Sequence, residues 1–259
     1  MYKQQMIERI NTIPRFELRN VAVGAPLTDT DYETQWERTG EHRAVCIVGT
    51  QDPLAIVSPE YCLVQFADTY LPILSPLDVK DGKVVYYDGY GIMTVYPEGD
   101  EYSIDNDTEI GLSVHNSVNK KSGLSIKFVV RSKDKVFTIP KKMAQFRRIH
   151  VGKIQQSTKD YVAVAIKIRS EWSTVLSKFN KATVRDDEFD AFCETLGLGE
   201  QLAKKLSYHN HQTTTMWDLM MHAFDMLSAQ KYKSEIHKQQ KLDEYCEALF
   251  TYGMVAKLQ

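Results

Sequence analysis

Residues 83–96 read KVVYYDGYGIMTVY. Lys83 to Asp88 and Tyr90 to Tyr96 are β-branched and aromatic, the side chains that suit a pleated surface. Between them Asp88-Gly89 is a dipeptide that accepts the positive φ angles of a tight hairpin turn. The stretch predicts two antiparallel strands, and the pattern continues downstream. In Glu109 to His115 the apolar Ile110, Leu112 and Val114 alternate with polar residues, and Leu124, Ile126, Phe128 and Val130 do the same. A period of two with one polar face predicts a half-buried antiparallel sheet. A short strand, Val136 to Ile139, ends at Pro140. Upstream, Arg43 to Val48 and Leu54 to Val57 read as strands about the turn Thr50-Gln51-Asp52-Pro53. Ser58-Pro59-Glu60 has the form of an N-cap with proline at the first helical position, which predicts a helix to about Leu74.

Farther out the periodicity changes. Tyr2 to Ile10 predicts a short helix stopped before Pro14, and Gly24 to Glu41 is polar and turn-rich, an irregular arm. Tyr161 to Ile168 is β-branched, yet its continuation to Phe179 favours one long helix. Asp186 to Leu196 reads as a helix closed by Gly197, and Met216 to Leu227 opens with Thr215 and Asp218 in capping-box spacing. Ile236, Leu242, Tyr245, Cys246, Leu249 and Phe250 recur at helical intervals. The Met-rich run Met216-Trp217-Asp218-Leu219-Met220-Met221 reads as adaptable core packing. The expected fold is α+β, an antiparallel meander and hairpin core with helices packed on it. Its organisation is an N-terminal helix and arm (1–40), an α+β core (41–155) and a helical region (156–259).

The chain has 259 residues, 43% hydrophobic and 25% charged, enough apolar material for a sizeable core, which excludes whole-chain disorder. Its net charge of −2 names no partner. Cys46, Cys62, Cys193 and Cys246 form no C-x-x-C pair and fit neither a disulfide framework nor a thiolate zinc site. They read as reduced core thiols. The start carries no apolar signal region, and no run approaches the roughly 18 apolar residues of a membrane span. A soluble, unprocessed, cytoplasmic protein without a membrane partner is expected.

Charge is segregated along this near-neutral chain. Asp78 to Glu109 holds nine acidic residues against Lys80 and Lys83, a local net of −7. Asn116 to Lys153 holds eleven basic residues against Asp134 alone, a local net of +10. Such a stripe can neutralise a polyanion backbone. Lys127 and Arg131 lie on the strand face opposite Leu124, Ile126, Phe128 and Val130 and are expected to point to solvent. Lys120, Lys121, Lys133 and Lys135 occupy the flanking turns, and Lys141, Lys142, Arg147, Arg148 and His150 continue the ridge. Phe137, Phe146 and Tyr161 are near enough in sequence to offer stacking surfaces to unpaired bases. The competing reading is that these cations solvate hairpins and protect an edge strand.

Catalytic motifs are absent. There is no Walker A or G-x-G-x-x-G loop and no G-x-S-x-G elbow, and no cysteine has a histidine neighbour in sequence. Asp218 and His222, four apart, with His209 and His211 nearby, could build a two-histidine, one-carboxylate site, but capping and surface roles account for them more simply. The acidic run 100–109 lacks calcium-loop order. No enzyme activity, metal or cofactor is expected.

Three segments carry a resemblance: Ala55-Ile56-Val57-Ser58-Pro59-Glu60-Tyr61 leading to Phe66-Ala67-Asp68; His115-Asn116-Ser117 with Lys121-Ser122-Gly123; and Thr215-Met216-Trp217-Asp218-Leu219. In this order, across roughly residues 50 to 250, the chain resembles the phage/plasmid-like proteins of unknown function, which implies a phage or plasmid setting. The hairpin, meander and following helix with a basic groove are also similar in architecture to single-strand annealing proteins of the Red-beta and Erf kind. The expectation is a non-enzymatic protein that binds single-stranded DNA, with RNA the other candidate, and anneals it as a homo-oligomer in a bacterial host cell. The alternative is a phage interaction protein that occupies a host protein, using the acidic segment 78–109 as a nucleic-acid mimic.

Overall fold

The structure is a computed structural model and describes residues 1–21, 42–50, 52–58, 60–119, 124–139, 158–185, 189–210, 215–233 and 235–255. It is α+β, as expected: antiparallel sheets, with helices concentrated in the C-terminal half. The arm at 24–41 lies outside the described residues. The chain divides into two compact units interleaved in sequence, one of residues 1–98, 112–126 and 146–158, the other of 99–111, 127–145 and 159–259.

Helix α1 (Tyr2–Asn11) buries Met6 and Ile10, one turn apart on one face. Lys3 Nζ donates to the carbonyls of Ser75 at 2.7 Å and Leu77 at 2.9 Å. Strand β1 (Phe16–Asn20) pairs antiparallel with β2 (Arg43–Ile47), and β2 with β3 (Pro53–Val57), in a three-stranded sheet. β1 is unanticipated: Phe16 and Leu18 are its only apolar residues, one alternation where β2 carries a continuous apolar run. Helix α2 (Phe66–Leu74) also departs from expectation, starting at Phe66 rather than at Ser58. Gln65 accounts for the late start. Its Oε1 accepts from Phe16 N at 3.1 Å and its Nε2 donates to Phe16 O at 2.8 Å, which holds the preceding chain against the start of β1.

The larger sheet runs β4 (Val79–Tyr87), β5 (Tyr90–Pro97), β7 (Thr108–Ser117), β8 (Ser125–Ser132), β9 (Lys135–Thr138), with the short β6 (Ser103–Asp105) also on β7. The β4–β5 hairpin turns where expected, Asp88 and Gly89 having φ of +49° and +72°, the signs of a type I′ turn. One face of this hairpin is packed. Phe66 lies against Phe16, Tyr70 and Tyr86 with ring centroids 5.4 to 5.9 Å apart. A Cβ on Gly91 would sit 2.6 Å from the Phe66 ring, so only glycine lets α2 approach β5 there.

In the second unit, α3 (Thr158–Lys181) is the long helix favoured over a strand. α4 (Phe189–Thr195) ends at Gly197 with the Leu198 N–H on the Cys193 carbonyl and the Gly197 N–H on that of Glu194, a Schellman pair. After α5 (Glu200–Asn210), α6 (Met216–Ser228) opens on the expected cap. Asp218 N donates to Thr215 Oγ1 at 3.1 Å, and that hydroxyl donates to Asp218 Oδ2 at 2.7 Å. Met216 and Met220 are buried, which bears out the core reading of the Met-rich run. α7 (Glu235–Val255) packs along β9, and Tyr245 Oη donates to the Met220 carbonyl at 2.9 Å. Trp172 stacks on Phe250 at 5.4 Å and 14°. Among the described residues, no helix is long and apolar enough to cross a membrane.

Candidate functional site

The basic stripe does not form one solvent-facing ridge in its described part. Lys127, on β8, is ion-paired with Asp243 of α7, its side chain 21% exposed. Arg131 donates through Nε to Glu109 Oε1 at 2.6 Å, and its Nη2 reaches the same oxygen. Lys135 lies 3.2 Å from both Asp134 and Asp225 and is only 14% exposed. Burial works against its charge, but hydrogen bonds to Asp134 and Asp225 outweigh burial and hold the ammonium above its usual range. Asp134 is correspondingly held low, first by the hydrogen bond from Lys135. The expectation that Lys127 and Arg131 point into solvent is therefore corrected. Their strand face meets carboxylates from β7 and from a helix more than a hundred residues away. Lys133 is exposed in the β8–β9 turn at φ +56°, its N–H donating to the Asp107 carbonyl at 2.9 Å. Lys120, Lys121, Lys141, Lys142, Phe146, Arg147, Arg148 and His150 lie outside the described residues, as does the side chain of Tyr161.

Phe137 is also corrected. It is fully buried, 4.9 Å from Phe224, 5.6 Å from Trp217 and 5.9 Å from Trp172 between ring centroids. Its ring faces are occupied by α3 and α6, so no base can stack on it. The alternation in β9 placed it on one side of a strand without saying that helices cover that side.

The polar residues of β7 hold a second surprise. Ser113, His115 and Ser117 keep the expected period of two, but they are buried rather than solvated, and so are Thr108 and Asn116 at the alternate positions. Thr108, Ser113, His115, Asn116 and Ser117 are each less than 8% exposed. Burying hydroxyls and an imidazole requires partners, and here they find them among themselves and on adjacent strands. Ser113 Oγ lies 3.0 Å from His115 Nε2, and Tyr90 Oη lies 2.9 Å from His115 Nδ1. Thr108 Oγ1 meets Ser132 Oγ at 3.2 Å, and Ser117 Oγ donates to Asn119 Oδ1 at 2.7 Å. Both ring nitrogens of His115 are engaged by hydroxyls able to donate or accept, so a neutral imidazole is satisfied in either tautomer.

In register Tyr90 pairs with Ser117 and Ile92 with His115, which puts Tyr90, Ile92, Ser113, His115 and Ser117 on one sheet face. On β4 the same face carries Lys83, Val85 and Tyr87, opposite Thr94, Ile92 and Tyr90. Here the face opens to solvent: Tyr87 is 77% and Val85 50% exposed, Lys83 is exposed, and Tyr90 and Ile92 are half-buried. Lys83 has no ion pair among the described residues. The arrangement is a shallow apolar and aromatic surface with a cation at one end, and His115 behind Tyr90 holds that ring's hydroxyl. The sequence pattern alone does not single it out, because the two tyrosines also read as strand formers. The signal was there in Tyr87 and Tyr90 flanking a two-residue turn, which places them side by side on one face.

Among the described residues no three histidine, cysteine, aspartate or glutamate side chains converge as a metal site. Of the cysteines, Cys46, Cys193 and Cys246 are buried thiols as expected, whereas Cys62 is exposed. No protein-family model matches the chain, and neither does any curated protein or solved structure.

Proposed function

We propose that this chain binds single-stranded nucleic acid and presents it for annealing without catalysing a reaction. The observation that carries the reading is charge. With Lys127, Arg131 and Lys135 set aside as ion-paired, Lys120, Lys121, Lys141, Lys142, Arg147, Arg148 and Lys153 remain in two segments, 120–123 and 140–157, that contain no acidic residue. Cations concentrated in this way neutralise phosphates and release counterions, an affinity that needs no base recognition. The phage or plasmid setting and assembly into a homo-oligomer are part of the proposal. The setting rests on the segments about Ser58, Asn116 and Trp217 that resemble phage/plasmid-like proteins. In the acidic-mimic alternative, Glu109 is not available, because Arg131 already neutralises it.

The test is retention of labelled single-stranded DNA, duplex DNA and RNA over a salt series. About five phosphate contacts give a slope of log affinity against log salt of roughly −3.5 on single strands, from about −0.7 per contact. Replacing Arg147 and Arg148 together by alanine makes the slope shallower by about 1.4. A flat salt response, or no retention at low salt, would falsify the reading.

A further inference from the structure

Phosphate contacts alone leave a strand's bases unaddressed, and the open face of the β4–β5 hairpin has the chemistry to meet them. We infer that Tyr87 and Tyr90, with Val85 and Ile92 beside them and Lys83 at the end of the row, form a stacking platform for unpaired bases of a single strand. The inference rests on the reading of the chain as a single-strand binder and deepens it by naming where bases sit.

Tyr87, the last residue of β4 before the turn, exposes 77% of its surface and keeps a ring available that the core does not use. Tyr90 faces it directly across the hairpin. Residues directly opposite on antiparallel strands have Cβ atoms about 5 Å apart, so the two rings are neighbours on one surface. Tyr90 is also oriented in advance: its hydroxyl is held 2.9 Å from His115 Nδ1, and the other imidazole nitrogen is held by Ser113. A ring fixed before binding loses little freedom when a base settles on it. The pairs Val85–Ile92 and Lys83–Thr94 extend the row along the strands, giving an apolar floor and then an ammonium group for a phosphate. Aromatic rings beside a cation suit any of the bases, because each has a π-face, and so favour a single strand over a duplex with its bases stacked inside. A second copy of the chain seated on the same face is the competing occupant.

The experiment compares a thirty-nucleotide oligothymidylate with an oligomer of equal length made of abasic sites, by anisotropy at one salt concentration. The oligothymidylate is expected to bind the intact protein more tightly by roughly 5- to 150-fold, the range one base–aromatic stack supplies. Tyr87→Ala removes most of that preference and Tyr87→Phe keeps it, with the abasic oligomer bound equally by all three proteins. Because Tyr87 is exposed, these variants keep their fold, which far-ultraviolet circular dichroism checks. Equal binding of the two oligomers, or a Tyr87→Ala variant that retains the preference, overturns the platform and leaves phosphate binding standing. Failure of both oligomers to bind at low salt removes the single-strand reading and the platform with it. Concentration-dependent self-association abolished by Tyr87→Ala, with the base preference unchanged, assigns the face to a second copy and also overturns the platform.

Discussion

Asp243 of α7 grips two residues of the β8–β9 hairpin at once: its Oδ2 takes the ion pair with Lys127, and its Oδ1 accepts from Thr138 Oγ1 at 2.6 Å. The carboxylate thereby turns a lysine that reads as a surface cation into an anchor for the last long helix. Lys127 belongs to the scaffold, and its charge is already matched.

Asp243→Ala should lower stability by about 1.5–3 kcal/mol, the usual worth of a hydrogen bond to a charged group, because it leaves a largely covered ammonium and a hydroxyl without their acceptor. Lys127→Met, which keeps the stem and leaves Thr138 on the carboxylate, should cost less. Urea denaturation measures both. Lys127→Met should also leave the salt slope of single-strand binding unchanged, whereas a lysine holding a phosphate would make it shallower by about 0.7.

Phe137→Ala should cost about 3–5 kcal/mol, since a ring held between Trp172, Trp217 and Phe224 leaves a cavity that its neighbours fill only in part. Thermal unfolding reads the loss. Folded Phe137→Ala should keep the base preference of the parent, and a selective loss of that preference would restore the ring to the binding surface.

Stability should fall as pH rises above about 8.5, the ordinary thiol range. Burial, joined by the nearby Asp190 carboxylate, pushes the Cys193 thiol up to about 11, and burial pushes Cys246 up to about 12. Between the unfolded value and these, the folded chain keeps protons that the unfolded chain gives up. The contribution is whole below the unfolded pKa and is lost progressively as pH rises toward the folded values. Denaturation midpoints at pH 7.5, 9 and 10 test the sign. The decline should be shallower in Cys193→Ala/Cys246→Ala, and an unchanged slope would remove the thiols as its cause.

Cys62 should be the thiol that reacts first with an aromatic disulfide reagent in the native protein. It is exposed, whereas Cys46, Cys193 and Cys246 are buried. A time course should show one rapid equivalent, with the buried thiols following only on adding denaturant. Cys62→Ser should remove the rapid phase without affecting the rest.

What could be read from the residues was local. The hairpin at Asp88-Gly89, the cap at Thr215 and the helix end at Gly197 depend on neighbours within a few positions, and each formed as its residues dictate. The same holds for the alternation in β7. What alternation could not reveal was the medium on each side of the strand. Ser113 and His115 looked like a wet face because polar residues usually mark one, and only the pairing of β7 with β5 supplied the Tyr90 hydroxyl that lets His115 be buried. Lys127, Arg131 and Phe137 failed for the same reason: what covers them comes from other elements, and for Lys127 from 116 residues away. The predicted helix at Ser58 gave way to a contact between Gln65 and Phe16, again distant in sequence.

The interleaving of the two units constrains how the chain can be made and cut. The boundaries pass through β7, between Gly111 and Leu112, and through β8, between Ile126 and Lys127. No single break in the chain therefore parts one unit cleanly from the other. As the polypeptide leaves a ribosome, the first unit still lacks residues 112–126 and 146–158 after its opening 98 have emerged. Folding as soon as its opening stretch emerges, as a domain laid end to end with its neighbour can do, is closed to it. Nascent chains arrested before Leu112 should therefore be more protease-sensitive than those extended past residue 158, and a gene split between residues 98 and 99 should yield a first piece that does not fold when produced alone.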